Sequence, residues 1–226
     1  YSSDKFVIMA TANGTVKKTS LDQYSRPRSV GLRAVDLVEG DHLVGTAIID
    51  HDSDIMLLSS EGKAVRFAST DARAMGRVSK GVRGMRLPAE HSVIAMVVPD
   101  KDGFLLTVCE NGYGKRTHVT EFPTKGRGGK GMIAIQASDR NGPLVGATQL
   151  FSGDEIMLIS DQGTMVRTRG DEVSVVGRNT QGVRIIRLKD NENLVSLARI
   201  AEPEEEGSLG EDGAQEIVEA DDSSEE

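Results

Sequence analysis

The sequence has 226 residues and a formal net charge of −8, and its length is enough for one large domain or two small ones. With five Phe, three Tyr and no Trp, any core must be built from Val, Ile, Leu and Met. The single Cys109 excludes an intramolecular disulfide, and no apolar run or charged leader indicates a membrane span or a signal peptide. Because the sequence begins with Tyr1 rather than Met, we expect it to be part of a longer protein.

Four repeats of about fifty residues follow one another along the chain. Each begins with an apolar run that ends at a turn glycine, and these glycines are 48, 50 and 51 residues apart. They are Gly14, Gly62, Gly112 and Gly163. A short segment that ends in a basic residue comes next: TVKK (15–18), KAVR (63–66), YGKR (113–116) and TMVR (164–167). A second glycine then opens the apolar stretches 31–37, 81–87, 131–137 and 182–188, and a last run closes each repeat at 43–49, 93–98, 144–150 and 194–200.

Each repeat is predicted to form four short strands, the first two joined by a hairpin. The repeats span about 5–50, 54–99, 103–151 and 154–202, and four strands in some fifty residues are typical of a propeller blade. The runs Ile55–Leu58 and Ile156–Ile159 are apolar on both faces and are expected to lie between neighbouring blades. A single long β-sandwich is the alternative, but it does not explain a spacing kept over four copies. The predicted fold is therefore all-β, a propeller-like array of four blades over 1–202.

An acidic tail is predicted after this domain. Residues 203–226 contain eleven Asp and Glu and no Lys or Arg, whereas residues 1–202 contain 27 Lys and Arg and 24 Asp and Glu. Such a segment buries too little apolar surface to offset its ordering entropy, so we expect it to be disordered. We also expect it to compete with any anionic ligand for basic surface on the domain.

Positive charge recurs at the same place in every repeat. The stretches 17–34, 63–87, 115–131 and 166–188 contain 22 of the 27 Lys and Arg residues and only five acids. Equivalent parts of propeller blades lie on one rim, so the repeats predict a continuous basic band. The predicted DNA-binding residues are Arg26, Arg28, Arg33, Arg73, Arg77, Lys80, Arg83, Lys125, Arg127, Lys130, Arg178 and Arg184.

The expected partner is double-stranded DNA, contacted through its phosphates. The basic residues lie among Gly, Ser and Thr, which let backbone amides approach phosphates, and no recognition helix or aromatic series is predicted. If roughly eight phosphates are neutralised, the logarithm of the affinity should fall with the logarithm of salt concentration at a slope near −7. Two alternatives remain: the cations are ordinary solvated loop residues, or the array is a propeller that binds protein.

Several blocks closely resemble the C-terminal domain of bacterial DNA gyrase A. They are MATANGTVKKT (9–19), SSEGKAVRF (59–67), RAMGRVSKGVRGMRL (73–87), ENGYGKRT (110–117) and VGRNTQGV (176–183). The resemblance implies a β-pinwheel, in which neighbouring blades exchange a strand, and a rim that wraps DNA and biases strand passage toward negative supercoiling. It implies assembly with the rest of gyrase A and with gyrase B as A2B2, in the bacterial cytoplasm at the nucleoid.

Two features depart from that family. Its domain usually has six blades, whereas four repeats are visible here. Its hallmark box, Gln-Arg-Arg-Gly-Gly-Lys-Gly, belongs to the first blade. The nearest sequence here lies in the third repeat and consists of Lys125, Gly126, Arg127, Gly128, Gly129, Lys130 and Gly131; it matches the box at the last five positions and differs at the first two. We therefore expect DNA binding without a complete wrap. The related C-terminal domain of topoisomerase IV, which has a weaker box, is the alternative.

No catalytic, cofactor or metal site is predicted in this chain. Neither Tyr24 nor Tyr113 follows an arginine, as the nucleophile of a type II topoisomerase would. The four histidines are scattered without cysteine partners, and 126–131 lacks the ending of a phosphate-binding P-loop. The resemblance implies that ATP and magnesium are used elsewhere in the whole enzyme.

Overall fold

Residues 4–201, which the computed structural model of the protein describes, form short antiparallel strands and four single-turn 3-10 helices. The first repeat contains β1 (Phe6–Thr11), β2 (Thr15–Ser20), η1 (Leu21–Tyr24) and β3 (Leu43–Ile49). The second contains β4 (Asp54–Ser59), β5 (Lys63–Ala68), η2 (Ser69–Asp71), β6 (Val82–Arg83) and β7 (Val93–Val97). The third contains β8 (Phe104–Cys109), β9 (Tyr113–His118), η3 (Val119–Glu121), β10 (Met132–Ile133) and β11 (Leu144–Leu150). The fourth contains β12 (Glu155–Ser160), β13 (Met165–Arg169), η4 (Gly170–Glu172), β14 (Val183–Arg184) and β15 (Leu194–Ile200).

The predicted all-β, propeller-like array is confirmed, and so is the strand exchange that the resemblance implied. The sheets have the orders β3-β1-β2-β6, β10-β5-β4-β7, β11-β8-β9-β14 and β13-β12-β15. Thus β6, β10 and β14 each leave their own repeat and pair with the second strand of the preceding one. Each of these donated strands is only two residues long. The predicted tail, 203–226, lies outside the described residues.

The prediction of four strands in each repeat fails in the first repeat, and that of four strands in each blade fails in the last sheet. Residues 31–37, the expected third strand of the first repeat, have no strand structure. The last sheet has three strands. Both differences follow from the exchange: within 4–201, residues 31–37 have no preceding sheet to join, and β13 has no following repeat to receive a strand from.

The core lies between successive sheets rather than inside any one of them. Three buried apolar clusters join the first sheet to the second, the second to the third and the third to the fourth. The residues Ile55–Leu58 of β4 are all completely buried, as predicted, because they face a neighbour on each side. In the run Ile156–Ile159 of β12 the prediction fails: Ile156 and Leu158 are buried, but Met157 and Ile159 are partly exposed, because a neighbour covers one face alone. The strands β3, β7, β11 and β15 pack on one another in that order, so the donated strands form the outer edge.

The hairpin glycines couple each repeat to the next. In the first three hairpins the glycine has a φ near +80°, and its carbonyl oxygen accepts hydrogen bonds from two consecutive amides just after the donated strand. For Gly62 these donors are the amides of Ala134 and Ile135, at 2.9 and 3.1 Å. A Cβ added at Gly62 would stand 2.4 Å from the carbonyl oxygen of Ile135, whereas one added at Gly163 would meet nothing within 4 Å. Glycine is therefore required at Gly62 for space as well as for its backbone conformation.

This difference predicts unequal costs for one substitution at two equivalent turns. The Gly163→Ala change should lower the free energy of unfolding by about 1–2 kcal/mol, the cost of placing a side chain in the left-handed region. The Gly62→Ala change should lower it by at least about 3 kcal/mol, because the added methyl also displaces the carbonyl of the next repeat. Urea unfolding of both variants measures the difference. Equal losses would mean that the contact between the repeats contributes nothing.

Candidate nucleic-acid interface

Four chain segments that begin at or just after a 3-10 helix form the outer edge of the array, and the last three of them contain the donated strands. We call 24–36, 73–86, 123–136 and 174–187 the rim segments. Together they contain fourteen Lys and Arg residues and a single acid, Asp36, whose carboxylate is paired with Arg33. Because the donated strands lie at the outer side of each sheet, these segments lie on the outside of the array.

Hydrogen bonds join the rim segments to one another in sequence order. The amide of Asp36 donates to the carbonyl of Ser79 at 3.4 Å, which links the first segment to the second. The amide of Gly128 donates to the carbonyl of Gly84 at 2.8 Å, and the amide of Gln136 donates to that of Thr180 at 2.9 Å. The four segments are therefore neighbours along one edge, as a continuous basic band requires.

Nine of the twelve predicted DNA-binding side chains are exposed on this edge. They are Arg26, Arg28, Arg33, Arg73, Lys80, Arg83, Lys125, Lys130 and Arg184. The exposed Arg86 and Arg187 lie on the same segments, although sequence reasoning did not single them out. Each lies three residues after the end of a donated strand, and this shared position in two repeats was the signal that could have identified them.

The other three predicted residues, Arg77, Arg127 and Arg178, occupy the same position in successive segments and are only partly exposed. The guanidinium of Arg127 donates to the carbonyls of Asp71 and Arg83 in the preceding repeat. That of Arg178 donates to the carbonyl of Ile133 at 2.9 Å and lies over the ring of Phe122. Arg127 and Arg178 therefore join adjacent rim segments, and the exposed cations around them are better placed to meet a ligand.

Part of the charge counted in the basic band is inside the protein. The last residue of the TVKK, KAVR and YGKR segments contacts backbone carbonyls of the next repeat. The ammonium of Lys18 lies 3.3 Å from the carbonyl oxygen of Ser69, and Arg66 donates to the carbonyls of Val119 and Phe122 at 3.2 and 3.0 Å. These cations fasten one blade to the next and are not available to a ligand.

Arg116 is the most enclosed of these fastening arginines. Its side chain is 9% exposed, donates to the carbonyl of Val173 at 2.8 Å and pairs with the carboxylate of Asp171 at 2.7 Å. It also lies over the ring of Phe104, 4.9 Å from the centroid. A backbone hydrogen bond from Gly153, and then the bond from Arg116, lower the pKa of Asp171 below its usual value. The pair is therefore charged near neutral pH.

Two further lysines, Lys17 and Lys115, are buried beneath rim segments. Their relative exposures are 1% and 0%. The ammonium of Lys17 donates to the carbonyls of Ala34 and Arg77, both at 2.5 Å. That of Lys115 donates to the carbonyls of Gly177 and Arg178 at 2.7 and 2.5 Å and lies 3.1 Å from the hydroxyl of Thr180. Burial lowers the pKa of both amines to about 8.

Neither a metal cluster nor a membrane-crossing helix is found in the described part of the chain. Within 4–201 no three His, Cys, Asp or Glu side chains come together in a group that could hold a metal ion. The helices there are single 3-10 turns, and none has the length or apolar character that a membrane crossing requires. The sulfur of Cys109 is buried, and burial raises the pKa of its thiol to about 12.

Known proteins share both the sequence and the fold. The DNA gyrase A protein of Klebsiella oxytoca is 52% identical over 209 residues, which are 92% of this chain and 24% of that protein. Its counterpart in Pseudomonas aeruginosa is 52% identical over 219 residues, 95% of this chain and 24% of that protein. In Escherichia coli the identity is 52% over 203 residues, 90% of this chain and 23% of that protein. This chain therefore spans about a quarter of the length of these relatives.

Two solved structures have the same architecture. The C-terminal domain of DNA gyrase A superposes with a TM-score of 0.78 at 27% identity, over 88% of this chain and 67% of that one. The C-terminal domain of DNA topoisomerase IV has a TM-score of 0.82 at 22% identity, over 87% of this chain and 62% of that one, which shows the fold alone. The family model described as DNA gyrase C-terminal domain, beta-propeller, matches residues 5–50, 53–100, 103–149 and 154–201. With all four repeats matched, the chain belongs to the DNA gyrase C-terminal domain family.

Proposed function

We propose that the rim binds the phosphate backbone of duplex DNA without sequence preference and bends the duplex along the array. The observation that carries this proposal is the chain of hydrogen bonds that places four basic, nearly acid-free segments side by side. Exposed cations and glycine-rich backbone suit phosphate contacts, which position a protein on DNA but carry no base information. The helices in 4–201 are single turns, so none of them is long enough to present side chains to a major groove.

Repetition allows such a surface to offset the cost of bending. Bending 20–30 base pairs by 40–90° costs on the order of 1–6 kcal/mol, more than a single loop contact returns. Four segments in contact with the same duplex supply several phosphate contacts at once. Each contact releases condensed counterions, so the affinity of the complex should decrease steeply with salt.

We further propose that the chain acts as part of DNA gyrase A. In the whole ATP-dependent type II topoisomerase, the rest of gyrase A and the gyrase B protein would complete an A2B2 assembly in the bacterial cytoplasm, at the nucleoid. The wrapped duplex would bias strand passage toward negative supercoiling, with ATP hydrolysis and magnesium-dependent cleavage located elsewhere. The relatives that share about half of their aligned residues with this chain are all DNA gyrase A proteins, and they support this placement.

Two other functions are less well supported. The likeness to topoisomerase IV is at 22% identity and extends to the fold alone. A propeller that binds protein would have no need for fourteen cations with one acid on its outer segments. A gel-shift titration of duplex DNA across salt concentrations separates the classes, because a protein-binding propeller would show no salt-dependent shift.

Ligation of nicked circular DNA in the presence of the protein tests the bending itself. We expect a positive linking-number shift that grows with the amount of bound protein and is smaller per protein than a complete turn. Circles ligated without protein, and with the protein at high salt, are the controls, since high salt should remove the shift. Salt-sensitive binding without any linking-number shift would mean that the rim holds DNA but does not wrap it.

A further inference from the structure

The two buried lysines beneath the rim are in equivalent positions, and each contacts the rim segment of the following repeat. Lys17 is the third residue of TVKK and Lys115 the third residue of YGKR. Lys17 binds the carbonyl of Arg77, and Lys115 binds that of Arg178, the corresponding arginine two repeats later. Both residues are almost completely buried. Their charge is therefore directed at the backbone of the rim rather than at solvent.

The second repeat lacks this lysine. Val65 occupies the equivalent position in KAVR, and above it the rim segment contains Gly126, Gly128, Gly129 and Gly131. A cavity of about 220 Å³ lies between the two, lined among others by Val65, Met132, Lys125 and Lys130. The segment over Val65 is held through Arg127 and through backbone hydrogen bonds, among them Lys125 to Arg66 and Gly128 to Gly84, but no lysine ammonium binds its carbonyls from beneath.

We propose that Lys17 and Lys115 are positioning residues for DNA binding: each fixes the backbone of the next rim segment, whereas the box-like segment over Val65 lacks this contact and adapts more readily to the duplex. The proposal rests on the function proposed above. Two rim segments would then offer phosphates a preformed surface, and the segment between them would adjust to the local path of the DNA. Preformed contacts cost less ordering entropy on binding, which is the advantage of fixing them in advance.

A stabilising role alone does not account for this arrangement. Taking an ammonium out of water is costly, and apolar residues of similar volume often stabilise a protein as well or better. Val65 shows that this fold accepts an apolar residue at the same place between two sheets, where it is buried in the core. What Lys17 supplies and Val65 does not is a set of hydrogen bonds that fixes the conformation of the rim backbone.

Replacing each of two adjacent lysines separates positioning from stability. Lys17 and Lys18 are both buried in β2, but Lys18 binds the carbonyls of His51 and Ser69, which lie outside the rim segments. Methionine removes the ammonium from either and keeps most of the volume. Hydrogen exchange of the free protein should become faster in 75–83 for Lys17→Met but not for Lys18→Met, even where both variants unfold at lower temperature. In the unmodified protein, 124–131 should already exchange faster than 75–83.

The DNA measurement uses the same two variants with a duplex of random sequence. Lys17→Met should weaken binding roughly fivefold and reduce the steepness of the salt dependence by about 0.9, the contribution of one phosphate contact. Lys80 is an exposed cation on the segment that Lys17 holds. Adding Lys80→Ala to Lys17→Met should therefore cause less further loss than Lys80→Ala causes alone.

Each outcome has a definite meaning. Unchanged exchange in 75–83 for Lys17→Met, or an equal change for Lys18→Met, would overturn the positioning role whether or not the protein binds DNA. Faster exchange together with independent, multiplicative effects of Lys17→Met and Lys80→Ala would also overturn it. If the unmodified protein fails to bind DNA while the exchange result holds, the proposed function is wrong and the fixing of the segment stands without a role in binding.

Discussion

Reversing two exposed charges on the rim should lower DNA affinity by roughly 100-fold, because two phosphate contacts are lost and two repulsions replace them. The variant is Arg83→Glu with Lys130→Glu, which changes adjacent rim segments of the second and third repeats. Both side chains are exposed, whereas Arg127, which sequence reasoning also predicted, is partly buried and bonded to the preceding repeat. The steepness of the salt dependence should fall by about 1.8, measured by fluorescence anisotropy between roughly 50 and 200 mM salt, an estimate from two lost contacts.

A matched control variant has the same total charge as the rim variant. Lys5→Glu with Lys101→Glu changes the net charge by the same amount, but both residues are exposed outside the rim segments. This control should weaken binding by less than about threefold, since distant exposed charges are screened beyond roughly 10 Å. Equal losses for both double variants would show that net charge, and not the rim, governs binding. A loss restricted to particular DNA sequences would indicate base recognition instead of backbone contact.

Removing the fastening arginine of the third repeat should destabilise the fold. The Arg116→Met change leaves the buried carbonyl of Val173 without its donor and removes the partner of Asp171, so the free energy of unfolding should fall by about 2–4 kcal/mol. The equivalent residue in the fourth repeat provides the control. Arg167 is 58% exposed and pairs with Glu155, so Arg167→Met should cost less than about 1 kcal/mol.

Chemical unfolding in urea measures both variants. A lower midpoint with an unchanged slope would attribute the loss to stability rather than to a change in the denatured state. If Arg116→Met and Arg167→Met cost the same, the contacts of Arg116 with the next repeat do not hold the blades together.

The repeat spacing was enough to predict the class of fold, because turn glycines and apolar runs recur at intervals that one strand pattern explains. It was not enough to assign strands to sheets. The stretch 81–87 predicts a strand in any arrangement, and only its backbone partners, Thr15 and Val16, reveal that it joins the preceding sheet. Only the family resemblance implied the exchange of strands. A hydrophobic pattern indicates which residues are buried, but not which strand they pair with.

Charge recurrence predicted the rim, but it could not separate exposed cations from buried ones. Lys17 and Lys18 are adjacent on a strand and so point to opposite faces, and β2 lies inside its sheet, between β1 and β6. Both ammonium groups are enclosed by segments distant in sequence, whose carbonyls they bind, so the alternation along β2 does not by itself reveal that both lysines are buried. The hydrogen-bond partners of Arg127 and Arg178 belong to neighbouring segments of the array, and no local pattern predicts such contacts.

The exchange of strands also determines how the array loses its structure. Each sheet except the last contains a strand donated by the following repeat, so neighbouring repeats cannot unfold independently. The free energy of unfolding is then a sum of terms for single repeats and terms for the contacts between neighbours. Within 4–201 the last sheet has no donated strand beside β13. Local unfolding should therefore begin in the last repeat and progress toward the first repeat. The connectivity of the strands alone therefore predicts cooperative unfolding that starts at the last repeat.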